Sequence, residues 1–310
     1  MPLSAHLNTF AGNPLDRVSD RRREPEWLAD QLEATGTTVL AFWNGSALVQ
    51  GGESEAHLAR IEPGLAVELA GGDERLLFMG LDAKGGAVFA LDLEGGADPA
   101  HGLLQGRGRF ANLRDLAPLL PAGDCGMAAS AKAVFEWRRR HRFCSACGQP
   151  TRVAEGGWKR LCPACKVEHF PRTDPVVIML PVRDGQCLLG RQPSWPPGRF
   201  SALAGFMEPG EAIEEACARE IGEESGLKTV AVRYHSSQPW PFPSNLMIGL
   251  IAEVAPGEAR ADQTELEAVR WLAREEVVRL LADGGDITLP PSMAIARQLI
   301  AFWAAGEPPG

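Results

Sequence analysis

The sequence has no long apolar run and no excess of basic charge. No stretch approaches the roughly 18 uninterrupted apolar residues of a membrane-spanning helix. The opening stretch, MPLSAHLNTFAGNPLDRVSDRRR, lacks the sustained apolar segment of a secretory leader. The 310 residues carry a formal net charge of -9. A chain this acidic is a poor non-specific binder of nucleic acid, whose phosphates reward basic stripes. An anionic substrate therefore needs local help from a divalent cation or a few placed basic groups. An even cysteine count is also missing. Seven cysteines disfavour a complete disulfide framework, and two Cys-x-x-Cys pairs among them point to metal binding in a reducing compartment. Together these absences predict a cytoplasmic protein with no membrane attachment. Internal repeats and long low-complexity segments are absent as well.

What is present is ordinary globular material, 45% hydrophobic and 23% charged residues, in a length suited to roughly two domains. The pattern predicts a mixed α/β fold in three parts. Residues 1–126 form an N-terminal α/β domain with strands at Thr37–Trp43, Ala47–Gln50, Leu76–Leu81 and Ala87–Leu93, separated by turns such as Asn44-Gly45 and Lys84-Gly85-Gly86. This part holds no clustered catalytic residue types and reads as structural or dimerising. Residues 127–171 supply a linker helix, Met127–Arg142, and two cysteine knuckles. The basic run Arg138–Arg142 reads as a solvated helix face whose cations suit the C-terminal dipole, with phosphate contact as the other reading. Residues 172–310 form a second α/β domain. Its strands fall at Val176–Leu180, Cys187–Leu189, Leu246–Val254 and Ala268–Leu272, and its helices at Glu211–Ser225, Ala273–Leu281 and Ser292–Ala304.

Cys144, Cys147, Cys162 and Cys165 form two thiolate pairs with fourteen residues between them. Zinc takes four such ligands in a tetrahedron, and a two-residue spacer lets each knuckle aim both sulfurs at one ion. Gly148 can take the left-handed backbone that the first knuckle favours. With all four positions filled by cysteine, no site is left for water, so one Zn2+ per subunit is expected to be structural. Cys125, Cys187 and Cys217 read as small buried apolar residues.

The segment Gly205–Leu227, GFMEPGEAIEEACAREIGEESGL, gathers carboxylates more densely than a surface helix requires. Ile213, Ala216, Cys217 and Ile221 recur at helical spacing and would pack on a sheet. Glu220, Glu223 and Glu224 share one helix face, where like charges repel unless a cation sits among them. Mg2+ or Mn2+ suits such hard oxygens and keeps waters for substrate phosphates. The preceding Leu203-Ala204-Gly205 can bring a backbone carbonyl, Ala204 foremost, to the same ions, and Arg219 can orient a glutamate through a bidentate pair. A solvated acidic helix face is the other reading of these residues. Gly-x5-Glu-x7-Arg-Glu-U-x-Glu-Glu-x-Gly-U, with U aliphatic, is filled without departure, and in this the segment resembles the Nudix box. The resemblance implies a Nudix α/β/α sandwich that hydrolyses diphosphates with divalent metals.

Downstream, Ser237-Gln238-Pro239-Trp240-Pro241-Phe242-Pro243-Ser244 is stiffened by its prolines and is expected as a presented loop, not a central strand. Trp240 and Phe242 can stack on flat heterocycles or simply pack. SQPWPFP after the box, the cysteine ribbon before it and Asn13-Pro14-Leu15-Asp16-Arg17 together resemble the NADH pyrophosphatases of the NudC type. That resemblance implies metal ligation by Glu220, Glu223, Glu224 and Glu265, with Glu224 also orienting or deprotonating water and Arg219 fixing the array. It implies substrate contacts from Phe206, Phe170, Ser237, Gln238, Trp240, Phe242 and Ser244, and a homodimer. Phe170 stands where relatives often carry tyrosine, which keeps the ring and loses a hydroxyl. The implied reaction is cleavage of NADH or NAD+ to nicotinamide mononucleotide and AMP. Removal of NAD caps from RNA and a broader dinucleotide or ADP-ribose diphosphatase are the alternatives.

Overall fold

A computed structural model describes residues 8–306, the side chain of Asp73 excepted. Residues 1–7 and 307–310, which include the start of the stretch read for a leader and the outer ends of the first and last expected domains, lie outside the described residues. The chain divides into two compact units. One comprises Phe10–Thr173 with Trp240–Ser244, the other chiefly Asp174–Pro239 and the residues from Asn245 onward. Among the described residues no helix is long and apolar enough to cross a membrane.

The first unit contains α1 (Pro25–Glu33), β1 (Thr38–Trp43), β2 (Ser46–Gly51), β3 (Ala56–Leu58), β4 (Arg60–Ile61), α2 (Pro63–Ala70), β5 (Leu76–Leu81), β6 (Ala87–Leu93), β7 (Arg109–Ala111), α3 (Leu113–Leu116) and α4 (Ala122–Arg140). The ribbon follows as β8 (Arg152–Ala154), β9 (Lys159–Leu161) and β10 (Glu168–His169), an antiparallel sheet in the order β10-β9-β8. Among the described residues the main sheet runs β3-β2-β1-β6-β5, with β4 also on β1 and β7 on β2. Asn44 and Gly45, both at positive φ, close the β1–β2 hairpin in a two-residue turn whose twist matches its strands. Val39, Ala41, Phe78 and Phe89 face α2 on one side, and Phe42 meets Phe135 of α4 edge-on at 5.6 Å on the other.

The second unit contains β11 (Asp174–Arg183), β12 (Gln186–Arg191), β13 (Leu203–Phe206), α5 (Ile213–Ser225), β14 (Thr229–Trp240), β15 (Asn245–Val254), β16 (Ala268–Ala273), α6 (Arg274–Ala282) and α7 (Ile295–Ala304). Its sheet runs β14-β15-β11-β12-β16, with β13 also on β11. Both faces of the sheet are buried, as the alternation along β11 requires. Val177 and Met179 pack with Ala216, Cys217 and Ile221 of α5. Ile178 and Leu180 pack with Val277, Leu299 and Trp303 of α6 and α7. The result is the α/β/α sandwich expected from the sequence.

The two sheets share a plan that the sequence does not announce. Each unit opens on an antiparallel hairpin over a two-residue turn, Asn44-Gly45 or Asp184-Gly185, with both turn residues at positive φ. A strand then pairs back on the hairpin's first strand (β4, β13), a helix follows (α2, α5), and a later strand lies parallel to the first (β6, β15). The expectation of no internal repeat is corrected at the level of topology.

Three further expectations are corrected. Ser237–Trp240 are not loop residues: they end β14, an edge strand, where Pro239 can sit without removing a bond from a sheet interior. Helix α4 begins at Ala122 rather than Met127, and Gly126 within it is required by close packing, since a Cβ there would lie 2.5 Å from the Asn13 nitrogen. The basic run is solvated only in part: Arg140 and Arg142 are exposed, as expected, while Arg138 and Arg139 are held inside. Arg138 is 5% exposed and donates to the carbonyls of Gly157, Leu76 and Glu74. Arg139 pairs with Asp92 at 2.8 Å and Glu136 at 3.1 Å, and Arg142 with Glu94 at 2.7 Å.

Candidate active site

Strand β13 is held on β11, with Ala204 opposite Ile178 and Gly205 opposite Val177, so the loop entering α5 starts from a fixed sheet position. Helix α5 begins with Glu215 accepting the Ala212 N–H at 2.7 Å and ends at Gly226, whose φ of 71° gives a left-handed stop. Arg219 knits this loop and helix together. Its Nε and Nη2 grip the two oxygens of Glu211 at 2.6 and 2.9 Å. Its Nη1 reaches Glu220 at 2.7 Å and Glu223 at 3.0 Å, and its Nη2 also donates to the Phe206 carbonyl at 2.8 Å. The pairing holds the Glu211 carboxyl down at about 2, with the Glu208 N–H contributing, and raises Arg219 above its ordinary value.

Glu220 and Glu224 lie on the buried side of α5, at 8% and 3% exposure. The Glu220 carboxylate rests on the Gly205 backbone so closely that a Cβ at Gly205 would fall 1.8 Å from its Cδ. Burial raises the Glu220 pKa against the pull of Arg219. Burial also pushes Glu224 up to about 8, reinforced by the charges of Glu220, Glu265 and Asp262 and opposed by the Ala204 N–H, which donates to it. Glu224 Oε2 is buried with no hydrogen-bond partner. A buried carboxylate with an orphaned oxygen, facing three further carboxylates, fits a divalent cation held by hard oxygens.

Sequence reasoning missed Asp262. Its carboxylate accepts the N–H groups of Thr264, Glu265 and Leu266 at 3.2, 3.0 and 2.8 Å, fixing the loop that carries exposed Glu265. Burial opposes its ionisation, but the Glu265, Leu266 and Thr264 N–H groups hold it below the usual carboxylate range. The Asp three residues before a glutamate was the available signal, since Asx side chains bond the backbone just ahead of them.

The remaining expected site residues fall into different settings. Glu223 is largely exposed and tied to Arg219. Phe206 is 58% and Phe170 59% exposed, each presenting an open ring. Gln238, expected among the substrate contacts, has its side-chain amide engaged within the fold. It is 0% exposed, donates to the carbonyls of Thr9 and Met293, and accepts the Ile295 N–H at the start of α7. The Ser237 carbonyl accepts from Asn8 at 2.8 Å. Trp240 and Phe242 pack edge-on with each other at 5.2 Å and with Phe10 at 5.8 Å, and the Arg114 guanidinium lies 4.3 Å from the Phe242 ring centre. Ser244 follows in the same turn and carries an interaction of its own.

Among the described residues, the one set of three or more metal-ligating groups with ligand atoms within 4.8 Å of one another is Cys144, Cys147, Cys162 and Cys165. The glutamates share a face without closing to that range, since Arg219 draws Glu220 and Glu223 to itself. The Sγ atoms of Cys144 and Cys165, and those of Cys147 and Cys162, lie 3.5 Å apart, near the ~3.8 Å edge of a tetrahedron with 2.3 Å zinc–sulfur bonds. Each knuckle repeats the same bonds. Cys144 and Cys162 accept the N–H groups of Gly148 and Lys166, both at positive φ. Cys125, Cys187 and Cys217 are buried, and burial pushes their thiols up to about 11, 12 and 12.

Comparison with known proteins matches three family models along the chain. They are a NUDIX domain at residues 172–291, an NADH pyrophosphatase zinc ribbon domain at 139–170, and an NADH pyrophosphatase-like rudimentary NUDIX domain at 36–137. The Homo sapiens NAD-capped RNA hydrolase NUDT12 is 38% identical over 97% of this chain and 74% of its own. The Mycobacterium bovis NAD-capped RNA hydrolase NudC is 38% identical over 90% of this chain and 92% of its own. The Homo sapiens mitochondrial NAD(P)H pyrophosphatase NUDT13 is 39% identical over 74% of this chain and 71% of its own.

Proposed function

The chain belongs to the Nudix hydrolases, in the NADH pyrophosphatase branch with a four-cysteine zinc ribbon, and from that premise we propose that it hydrolyses the diphosphate of NADH or NAD+ to nicotinamide mononucleotide and AMP. The observation that carries this reading is the buried, orphaned Glu224 oxygen among Glu220, Glu265 and Asp262. Glu220, Glu223, Glu224 and Glu265, with the Ala204 carbonyl, are the groups offered to Mg2+ or Mn2+. When bound, the cation supplies a Lewis acid that lowers the pKa of an attacking water and neutralises charge on the phosphates.

The chain's own residues do the placing. Arg219 holds Glu211, Glu220 and the Phe206 carbonyl in one frame, so the loop and helix that carry the carboxylates are positioned before substrate binds. Glu224 orients the water and takes its proton as the water oxygen bonds to one phosphorus and the bridging P–O bond breaks. Phe206 and Phe170 offer exposed rings for stacking on the bases. Trp240, Phe242, Ser237 and Ser244 act by shaping the proline-stiffened turn. The residues 1–126, 127–171 and 172–310 serve as scaffold and dimer element, linker with ribbon, and hydrolase, in a cytoplasmic homodimer.

Purified protein incubated with NADH and Mg2+ or Mn2+ should release AMP and the mononucleotide, with no products under chelator. Glu224→Gln should lower turnover by orders of magnitude with the fold intact. Near-normal turnover in that variant would refute the assignment.

Hydrolysis of NAD-capped RNA is the second reading, favoured by the names of two relatives. Against it, Arg138, Arg139, Lys159 and Arg160 are held by internal partners, which leaves Arg140 and Arg142 as the exposed cations of the run. Cleavage of capped RNA that falls steeply with salt while NADH cleavage does not would support it.

A further inference from the structure

The first unit contains a cavity of about 640 Å³, a volume typical of small-molecule sites, and none of its lining residues is assigned to hydrolysis. Its walls come from α1, from β5 and β6, and from the ribbon segment Arg152–Leu161. The wall is mainly apolar, with Leu28, Leu32, Leu76, Phe78, Phe89 and Leu161 facing the space. Helix α1 has no buried residue, so Leu28 and Leu32, one turn apart, line a space that the fold leaves unfilled. The ribbon side is held in place by the Trp158 indole N–H on the Phe78 carbonyl at 2.7 Å and by Arg138 on the Gly157 carbonyl at 3.0 Å. Glu155, Gly156 and Gly157 all take positive φ, and the Cβ that Gly156 lacks would sit 3.1 Å from Phe78 Cβ. The wall is thus built rather than loosely draped.

The charged lining is positive in a chain that is negative overall. Arg22, Arg23, Arg152 and Lys159 line the cavity beside two carboxylates, Glu74 and Glu155. Lys159 and Arg23 engage Glu155. Arg152 makes no ion pair among the described residues. Arg22 bonds the Arg17 carbonyl and stacks 4.3 Å from the Trp158 ring centre, and its Nε is buried without a partner. Neither Arg22 nor Arg152 makes an ion pair among the described residues, although Arg22 feels the charge of Glu155, and two such cations at an apolar cavity call for an apolar body ending in an anion.

We propose that this cavity binds a small amphipathic carboxylate, an aliphatic chain lying against Leu28, Leu32 and Leu161 with its carboxylate on Arg22 and Arg152. The planar, multivalent guanidinium groups suit a carboxylate better than a hydroxyl. A nucleotide fits less well, since the apolar wall offers its base few polar partners. The proposal is independent of the hydrolase reading.

The test is calorimetric titration of the full, zinc-loaded protein with decanoate, below its micelle concentration, and with decanol as the uncharged control. The expected result is saturable binding of one decanoate per chain, with decanol at least tenfold weaker. Arg22→Gln with Arg152→Gln should weaken decanoate tenfold or more. Ala29→Trp, at an exposed position on the cavity wall, should abolish binding with an unchanged melting temperature. Absence of saturable heat, equal affinity for decanol and decanoate, or wild-type binding by Ala29→Trp would each overturn it.

Discussion

Gly205→Ala separates catalysis from stability. A Cβ at this position would lie 1.8 Å from Glu220 Cδ and 2.0 and 2.2 Å from its two oxygens. Real Cβ contacts essentially never fall below 3.0 Å, so the carboxylate must retreat by about 1 Å. The colliding atoms are the far end of a flexible side chain, so the fold has little to resist. Alanine in a strand gains about 0.5–1 kcal/mol over glycine, and an off-rotamer glutamate costs about 0.5–1.5 kcal/mol. The net change in stability is therefore within about 1 kcal/mol. Catalysis has no such slack. Moving a positioned carboxylate by ~1 Å costs on the order of 10²-fold in rate, or about 2.7 kcal/mol of barrier. The assay is NADH hydrolysis at saturating Mn2+ beside thermal unfolding of the same preparation. Turnover should fall about a hundredfold with a melting temperature within a few degrees of wild type. Adding Glu220→Gln should cause little further loss, because both changes remove the same contact. Turnover within threefold of wild type, or turnover and melting temperature falling together, would show that Glu220 does not depend on the bare Gly205 backbone.

Three further outcomes follow from named contacts. In metal-free protein, folded Glu224 keeps its proton to about pH 8, whereas the unfolded chain releases it near the ordinary 4.5. The folded state then binds more protons, so this contribution is intact below about 4.5, declines as pH rises and is gone above about 8. Urea unfolding under chelator should show wild type losing about 2 kcal/mol or more relative to Glu224→Gln between pH 5 and 8, and parallel curves would refute a protonated Glu224. Arg138→Met orphans the carbonyls of Gly157, Leu76 and Glu74 and should cost about 3 kcal/mol in urea unfolding, against well under 1 kcal/mol if the site repacks. Asp262→Ala frees the N–H groups that seat Glu265. It should raise the Mn2+ concentration needed for half-maximal rate about tenfold at unchanged stability, with Asp262→Asn recovering part of it; a wild-type metal dependence in the alanine variant would remove Asp262 from the site.

Much of this architecture was legible because period and turn chemistry speak locally. Leu76–Leu81 and Ala87–Leu93 lie where β-rich runs between glycine turns placed them. The cysteine spacing predicted a four-sulfur cluster, and the positive φ at Gly148 followed from the knuckle. The illegible parts depend on partners distant in sequence. The start of α4 contains Gly123 and Gly126, poor helix formers, and Gly126 is small because the backbone of Asn13 passes against it. The arginines after Trp137 looked solvated because their acceptors, on β5, β6 and the ribbon, lie far away in sequence. Gln238 carried no local sign that its amide would hold the start of α7. Asp262 had a local sign, but its relation to Glu224 comes only from the loop's return to α5.

The shared topology of the two units shows what the chemistry requires beyond the sheet. Both hairpins, both returning strands and both parallel closures are present. In the first unit, however, β4 spans only Arg60–Ile61 and a single residue, Glu62, separates it from α2. In the second, Met207–Ala212 intervene before α5, long enough for Glu211 to turn back onto Arg219. Helix α2, PGLAVELA, has Glu68 as its sole acid and no arginine, so no frame exists to hold carboxylates against the strand. Its Ala66 and Ala70 instead complete the core. A scaffold needs only apolar alternation and permissive turns, which many sequences satisfy. A cation site needs a long loop, a clamping arginine and a bare glycine backbone at once. That difference is why the two units can share a strand plan while only the second carries the clamped carboxylates.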